Sequence, residues 1–232
     1  MKLNKLIAIA TISLLSGGIS MAQKALNLED NIIQTKGIGS MTWLKDGERY
    51  SRLENNKQTG GTDIVAYRAK DNSREVIIPS SLLTDKSTGR PIPVRSVSWS
   101  ADNEKVLIYN NTRRVWRYDT RGDYWVLNLK DGALRQLGKG MPESSMMFAK
   151  FSPDGTRVAY VSNNNIYVED IDSGKITQLT KDGSDTIVNG TFDWVYEEEF
   201  SCRDGFRWSP DGKHIAYWQS DTKGTGVFDI IN

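Results

Sequence analysis

Hydrophobic residues in this chain occur as short runs between turn residues, and the clearest series lies between Met146 and Leu179. Apolar positions there recur over stretches of strand length, separated by Asn, Asp, Gly and Pro. The pattern predicts four strands, at residues 147–151, 157–161, 166–170 and 176–179. Four short antiparallel strands joined by tight turns are typical of one blade of a β-propeller.

The same unit recurs along the chain. Three similar segments begin with an aromatic residue, Trp99, Phe151 or Trp208, and each ends in a short apolar strand. In the second and third segments the intervening turn reads Ser-Pro-Asp-Gly, where Pro presets φ, Asp bonds back to the backbone and Gly accepts positive φ. A second match places predicted hairpin turns at Asp131-Gly132 and Ser173-Gly174.

Counting these repeats gives the fold class. Units begin near Thr42, Arg95, Met146 and Phe206, so residues 42–232 are predicted to form an all-β, partial β-propeller of three blades and part of a fourth. An open propeller leaves backbone N–H and C=O groups unpaired at its edge. We therefore expect a chain that stops inside its last unit to be a fragment or the product of a truncated gene.

The first 22 residues follow the plan of a secretory signal peptide. Lys2 and Lys5 precede an apolar stretch at residues 6–15, and Ser20-Met21-Ala22 supplies small residues for cleavage after Ala22. The stretch is shorter than the roughly 20 residues that a membrane span needs, although a retained anchor is the alternative. We expect a periplasmic or secreted protein without a stable membrane anchor.

Composition narrows the class of protein. Hydrophobic residues make up 38% of the 232 residues and charged residues 25%, which is enough apolar material for a folded core. The net charge is +1 and no run of Lys or Arg would follow a phosphate backbone, so nucleic acid is not an expected partner. The single cysteine, Cys202, excludes an internal disulfide.

An acidic and aromatic cluster at residues 191–200 interrupts the repeat between the third and fourth units. It contains three consecutive carboxylates, Glu197, Glu198 and Glu199, whose mutual repulsion favours a bound cation such as a free α-ammonium group. The alternative is a solvated helical turn with Asp193 as its N-cap.

The cluster also carries a family resemblance. The sequence Asp-Trp-Val-Tyr-Glu-Glu-Glu at residues 193–199, followed by Phe200 and then by Trp-Ser-Pro-Asp-Gly at 208–212, closely resembles the signature of the dipeptidyl-peptidase IV family of serine peptidases, the S9B group. The resemblance implies the first half of an eight-bladed propeller, with the carboxyl-terminal α/β-hydrolase catalytic domain absent from this chain. Residues 23–41 resemble the opening segment that packs towards that domain.

The resemblance also implies roles for particular residues. Glu198 and Glu199 correspond to the two glutamates that hold the amino terminus of a peptide substrate. Arg117, in Val-Trp-Arg-Tyr at residues 115–118, corresponds to the arginine that reaches the carbonyl of the substrate's second residue. A structural arginine at a strand edge is the alternative for Arg117. Glu197 and Tyr196 are expected to support the turn.

Catalytic residues are not found. The chain has no Gly-x-Ser-x-Gly nucleophile motif, and its only histidine, His214, follows a turn where an exposed side chain is expected. Cys202 is expected to be a free thiol without a positioned base. Dispersed carboxylates, one His and one Cys lack metal-ligand spacing, so neither a metal nor another cofactor is predicted.

The leading hypothesis is therefore the substrate-gating and amino-terminus-binding portion of an exported serine exopeptidase. Its complete form, with the missing hydrolase domain, would release Xaa-Pro or Xaa-Ala dipeptides, and a homodimer of that form is compatible with the resemblance. The 232 residues alone should be inactive. Two alternatives stay open, a stand-alone periplasmic β-propeller binding module and a tripeptidyl-peptidase relative.

Overall fold

The computed structural model describes residues 40–226, which contain three consecutive four-stranded antiparallel sheets. In each sheet the strands are hydrogen-bonded in chain order, as in a propeller blade. The first sheet contains β1 (Thr42–Trp43), β2 (Arg49–Asn55), β3 (Thr62–Arg68) and β4 (Arg74–Ile78). The second contains β7 (Ser96–Trp99), β8 (Lys105–Val115), β9 (Tyr118–Asn128) and β10 (Ala133–Gln136). The third contains β11 (Met147–Phe151), β12 (Arg157–Ser162), β13 (Asn165–Asp170) and β14 (Ile176–Gln178).

A short connection links the first two sheets. It consists of a 3-10 helix (Ser80–Leu83) and a two-stranded pair, β5 (Thr84–Asp85) and β6 (Arg90–Pro91). The strand predictions for the third sheet are confirmed to within one residue at each boundary. The predicted signal peptide at 1–22, nearly all of the segment 23–41 and the last residues, 227–232, lie outside the described residues.

Packing between the sheets follows from the two-residue period of their strands. Along β8, Val106 and Ile108 point towards the first sheet, whereas Leu107 packs with Val158 and Tyr160 of the third. The second sheet is therefore apolar on both faces and buried on both. A third cluster joins the third sheet to the strand residue Phe206. Each fully buried aliphatic side chain stabilises such a stack by about 1.5–3 kcal/mol.

A common turn connects the first two strands in three of the four units. In the third sheet, the Ser152 hydroxyl donates to Asp154 Oδ1 at 2.5 Å, and the Thr156 N–H donates to the same oxygen at 3.0 Å. Asp102 and Asp211 accept the equivalent pairs of hydrogen bonds in the other two repeats. The shared turn therefore depends on an ionised aspartate, whereas Pro and Gly occur in two of the three turns and are replaced by Ala101 and Asn103 in the other.

The fourth unit differs from the prediction. Its first strand does not begin near Phe206 but at Ile187, and it is split into β15 (Ile187–Asn189) and β16 (Phe206–Trp208). β15 pairs with β18 (Gln219–Asp221), and β16 pairs with β17 (Ile215–Tyr217), which directly precedes β18. β15 and β16 are two halves of one strand, because both pair with the continuous segment 215–221. The acidic cluster is therefore an insertion between these halves and does not separate two units.

The Asp154 turn generates a pH prediction. Hydrogen bonds from the Ser152 hydroxyl and the Thr156 N–H lower the pKa of Asp154 to about 2, below its unfolded value of about 3.9. The stabilisation is therefore complete above about pH 4 and is lost as pH falls towards 2. In urea unfolding across that range, Asp154→Asn should flatten the decline of the unfolding free energy seen in the wild type. Asp185→Asn, at an exposed carboxylate with no hydrogen bond among residues 40–226, should keep the wild-type slope; equal slopes for all three proteins would contradict the prediction.

Candidate functional site

The acidic cluster is carried on an excursion from the split strand. The chain leaves at Gly190 and returns at Gly205, whose N–H donates to the Gly190 carbonyl at 3.1 Å. A second bond, from the Phe192 N–H to the Arg203 carbonyl at 2.9 Å, closes the neck of the excursion. The excursion is thus joined to the sheet at both ends, and its position is determined by the strand that it interrupts.

Between these ends lies the helix α1 (Trp194–Phe200). Asp193 caps it, accepting from the Tyr196 N–H at 3.1 Å, and Ser201 ends it in the left-handed region with φ of 49°. The alternative of a helical turn capped by Asp193 is therefore correct as local structure. It does not describe the whole cluster, because the three glutamates occupy different environments.

Glu197 is buried, with 1% of its side chain exposed. Its Oε1 accepts from the backbone N–H of Arg117 at 3.0 Å, and its Oε2 accepts from Nη1 of Arg203 at 3.3 Å. A buried carboxylate is costly unless it is paired and hydrogen-bonded, and both oxygens meet that condition here. The expected supporting role of Glu197 agrees with this placement.

Arg117 lies at the tip of a long hairpin. β8 and β9 each contain 11 residues, and their register shifts between Asn110 and Arg113, beyond which the hairpin extends to the helix. The turn places Trp116 at φ of 55°. Two segments that are distant in sequence therefore meet at α1.

The structure brings two of the three predicted site residues, Arg117 and Glu198, into contact. The Arg117 guanidinium forms an ion pair through Nε with Oε1 of Glu198, whose side chain is only 12% exposed. Glu199 follows on the exposed side of the helix, and no hydrogen bond or ion pair joins its carboxylate to another residue within 40–226. The cluster of Glu197, Glu198 and Glu199 with Arg117 and Arg203 has three negative and two positive charges, so one negative charge remains. Such a site is complementary to a single cation.

A half-buried lysine holds the returning limb of the excursion. Lys150 Nζ contacts both carboxylate oxygens of Asp204, at 2.5 and 2.6 Å, and the Phe206 carbonyl at 2.9 Å. Burial lowers the pKa of Lys150, and the Asp204 carboxylate partly offsets that effect. The ion pair ties the excursion to the third sheet.

A row of four aromatic rings covers the side of α1 that faces away from Glu198. Phe192 stacks on Tyr196 with ring centroids 4.5 Å apart, and Trp218 and Phe200 extend the row at 5.6 and 5.5 Å. Phe200 and Trp218 are largely exposed. The row supports the helix on that side.

The remaining candidates take no part in this arrangement. His214 is exposed on the strand side of a repeat turn, as predicted, and Cys202 is a half-buried free thiol. Among residues 40–226, no three His, Cys, Asp or Glu side chains are grouped as a metal site requires. None of the helices described is long and apolar enough to cross a membrane.

Sequence reasoning did not identify Arg203, Trp116 or Lys150 as site residues. Arg203 and Lys150 lie in no recognised motif, whereas Trp116 lies within the quoted segment 115–118 without an assigned role. Only Lys150 could have been found from the sequence, because it falls inside a predicted strand. A charged side chain in a strand needs a partner if it is buried.

Comparison with known proteins gives a consistent family. Residues 100–232 match the model of the dipeptidyl peptidase IV (DPP IV) N-terminal region. A probable dipeptidyl-aminopeptidase B of Chaetomium globosum is 36% identical over 135 residues, covering 58% of this chain and 15% of the relative. The probable dipeptidyl-aminopeptidase B of Pyrenophora teres f. teres is 30% identical over 206 residues, covering 88% of this chain and 21% of the relative. The chain thus spans about a fifth or less of the length of these curated relatives.

Solved structures agree. The crystal structure of Porphyromonas gingivalis dipeptidyl peptidase 4 matches with a TM-score of 0.67 at 26% identity, covering 83% of this chain and 27% of that one. A putative dipeptidyl aminopeptidase IV from Bacteroides ovatus matches with a TM-score of 0.54 at 17% identity, covering 82% of this chain and 24% of that one, and shows likeness of fold.

The helix cap generates a local prediction. Asp193→Ala removes the acceptor for the Tyr196 N–H and should destabilise α1 by about 1 kcal/mol, whereas Asp193→Asn keeps a capping oxygen and should retain most of the stability. Amide hydrogen exchange of Tyr196, followed by NMR, should therefore speed up about fivefold in the alanine variant only. Equal exchange in the two variants would show that the cap does not stabilise the helix.

Proposed function

Because this chain belongs to the dipeptidyl peptidase IV family, as part of its amino-terminal region, we propose that it binds the free amino terminus of a peptide substrate in an exported peptidase. The observation that carries the proposal is the pairing of Glu198 with Arg117, next to the exposed Glu199 carboxylate, which has no ion-pair partner among residues 40–226. An α-ammonium group supplies one positive charge and three N–H donors, which suit two carboxylates.

The proposed roles follow from the chemistry of each group. Glu198 and Glu199 accept hydrogen bonds from the ammonium group, which are stronger than those between neutral partners. The Arg117 guanidinium has donors besides Nε and is 66% exposed, so it can reach a substrate carbonyl while Nε stays near Glu198. Glu197 binds no substrate, since both of its oxygens are used within the protein.

In the complete enzyme, binding of the amino terminus at Glu198 and Glu199 would determine which peptide bond is cleaved. Holding the ammonium group at a fixed distance from a nucleophile outside these 232 residues selects one peptide bond for attack. The relatives named above are dipeptidyl-aminopeptidases, which favours release of dipeptides, with Xaa-Pro and Xaa-Ala as the proposed products, over release of tripeptides. An eight-bladed propeller, a homodimer and a periplasmic or secreted location belong to the same proposal.

The binding role can be tested by calorimetric titration with Ala-Pro-Ala amide, with its amino terminus either free or acetylated. The free peptide should bind, and acetylation should abolish measurable binding because it removes the charge. Glu198→Gln and Glu199→Gln should each weaken binding about 10- to 100-fold, since a hydrogen bond to a charged group contributes about 1.5–3 kcal/mol.

Glu75→Gln provides the control, because Glu75 is an exposed glutamate in β4 that pairs with Arg49 in the first sheet. Its affinity should equal that of the wild type. Equal binding of free and acetylated peptide would reject amino-terminal recognition and would favour a general peptide-binding module instead.

A second measurement addresses catalysis. The 232 residues contain no Gly-x-Ser-x-Gly, and their only histidine, His214, is exposed at a repeat turn; within residues 40–226 no serine hydroxyl is hydrogen-bonded to its imidazole. The purified chain should release no p-nitroaniline from Ala-Pro-p-nitroanilide above the blank rate. Turnover that co-purifies with the chain and is abolished by a serine-directed inhibitor would contradict this expectation.

A further inference from the structure

Arg203 occupies an unusual position at the base of the helix. Its side chain is only 11% exposed, and its Cζ lies 3.8 Å from the centroid of the Trp116 ring. Nη1 pairs with Glu197, and Nε donates to the Thr191 hydroxyl at 3.1 Å. One guanidinium therefore contacts the hairpin tip, the helix and the neck of the excursion.

The contact with Trp116 affects the adjacent residue. Trp116 adopts positive φ, which a bulky side chain rarely does unless the surrounding structure holds it. The Arg203 guanidinium is the cation that lies on its ring face, an arrangement that is attractive and stronger where water is excluded. Burial lowers the pKa of Arg203, and the stacked Trp116 itself is 46% exposed. Holding Trp116 also restricts the backbone of Arg117.

The contact with Glu197 acts on the same backbone from the other side. Glu197 divides its two oxygens between Arg203 and the Arg117 N–H. Without Arg203, the buried Glu197 carboxylate would lose its only ion-pair partner among the described residues, and such a charge would be expected to draw in water or reorient. Both contacts of Arg203 therefore fix the position of Arg117 relative to Glu198.

We propose that Arg203 is a positioning residue that fixes Arg117 beside Glu198, by stacking on Trp116 and by neutralising Glu197. Arg203 does not touch the substrate. The consequence for binding rests on the proposed function, but the docking of the hairpin tip on α1 does not, so the two can be tested separately.

The docking test uses the 232-residue chain without any ligand. The Arg117 N–H donates to Glu197, so its hydrogen exchange reports whether the hairpin tip is docked. Arg203→Met removes both contacts and should accelerate this exchange at least tenfold, while the amide of Ala159 in the core of the third sheet stays unchanged. Arg203→Lys keeps the charge but loses the planar stack, and should give an intermediate rate.

Two further variants keep the test decisive. Trp116→Ala removes the ring and leaves the Arg203–Glu197 pair, so it should also accelerate Arg117 exchange even if Arg203→Met fails to fold. Arg68→Met alters an exposed arginine of the first sheet that pairs with Glu48, and should leave the exchange at the wild-type rate. Wild-type exchange of Arg117 in the Lys and Ala variants would overturn the proposal.

The binding consequence is measured with the same free-amino peptide, Ala-Pro-Ala amide. Arg203→Lys should weaken its binding about tenfold with the melting temperature nearly unchanged, which separates positioning from loss of the fold. If wild-type protein does not bind the peptide, amino-terminal recognition fails, and the exchange data alone still decide the role of Arg203. If Glu198→Gln weakens binding but Arg203→Lys changes neither exchange nor affinity, the positioning role is wrong and amino-terminal recognition stands.

Discussion

The buried carboxylate of Glu197 is the interaction on which the site depends. A carboxylate with 1% of its side chain exposed must be compensated within the protein, and here it is shared by the Arg117 backbone and the Arg203 side chain. Glu197 and Arg117 lie 80 residues apart in sequence. Satisfying one buried charge thus brings the hairpin tip of the second sheet against the helix in the fourth unit.

This requirement gives three consecutive glutamates three different roles. Glu197 is buried and its carboxylate is fully engaged within the protein. Glu198 is mostly buried and paired with Arg117, and Glu199 is exposed. A helix separates neighbouring side chains by about 100°, so a run of three acidic residues cannot lie in one environment. The repulsion that makes the run unfavourable in isolation is relieved by two arginines from different segments, Arg117 and Arg203, and the Glu199 carboxylate has no such partner among residues 40–226.

Much of the fold was predictable because its determinants are local. The strands of the third sheet follow from apolar runs bounded by turn residues, and the Asp154 turn follows from Ser-Pro-Asp-Gly itself. The split strand was not predictable in this way, because β15 and β16 become one strand only through their common partner, 215–221. Arg203 and Trp116 were not predicted for the same reason: a cation that stacks on an aromatic ring can come from any position in the sequence, so no fixed spacing reveals the pair. Glu198, Glu199 and Arg117 were identified by resemblance, and the contact between Glu198 and Arg117 is a property that the sequence alone does not contain.

The two parts of the site, the helix α1 and the tip of the β8–β9 hairpin, are each unstable in isolation. An isolated helix of seven residues is unstable in water, because forming its first turn costs more than so few hydrogen bonds return. A two-stranded hairpin extending beyond its sheet is likewise marginal. Each is stabilised by the other through Glu197 and Arg203, and both are mounted on strands whose apolar residues pack between sheets. The distance between Arg117 and Glu198 is therefore set by the packing of the second, third and fourth units, and a change in that packing would alter the site without any substitution in it.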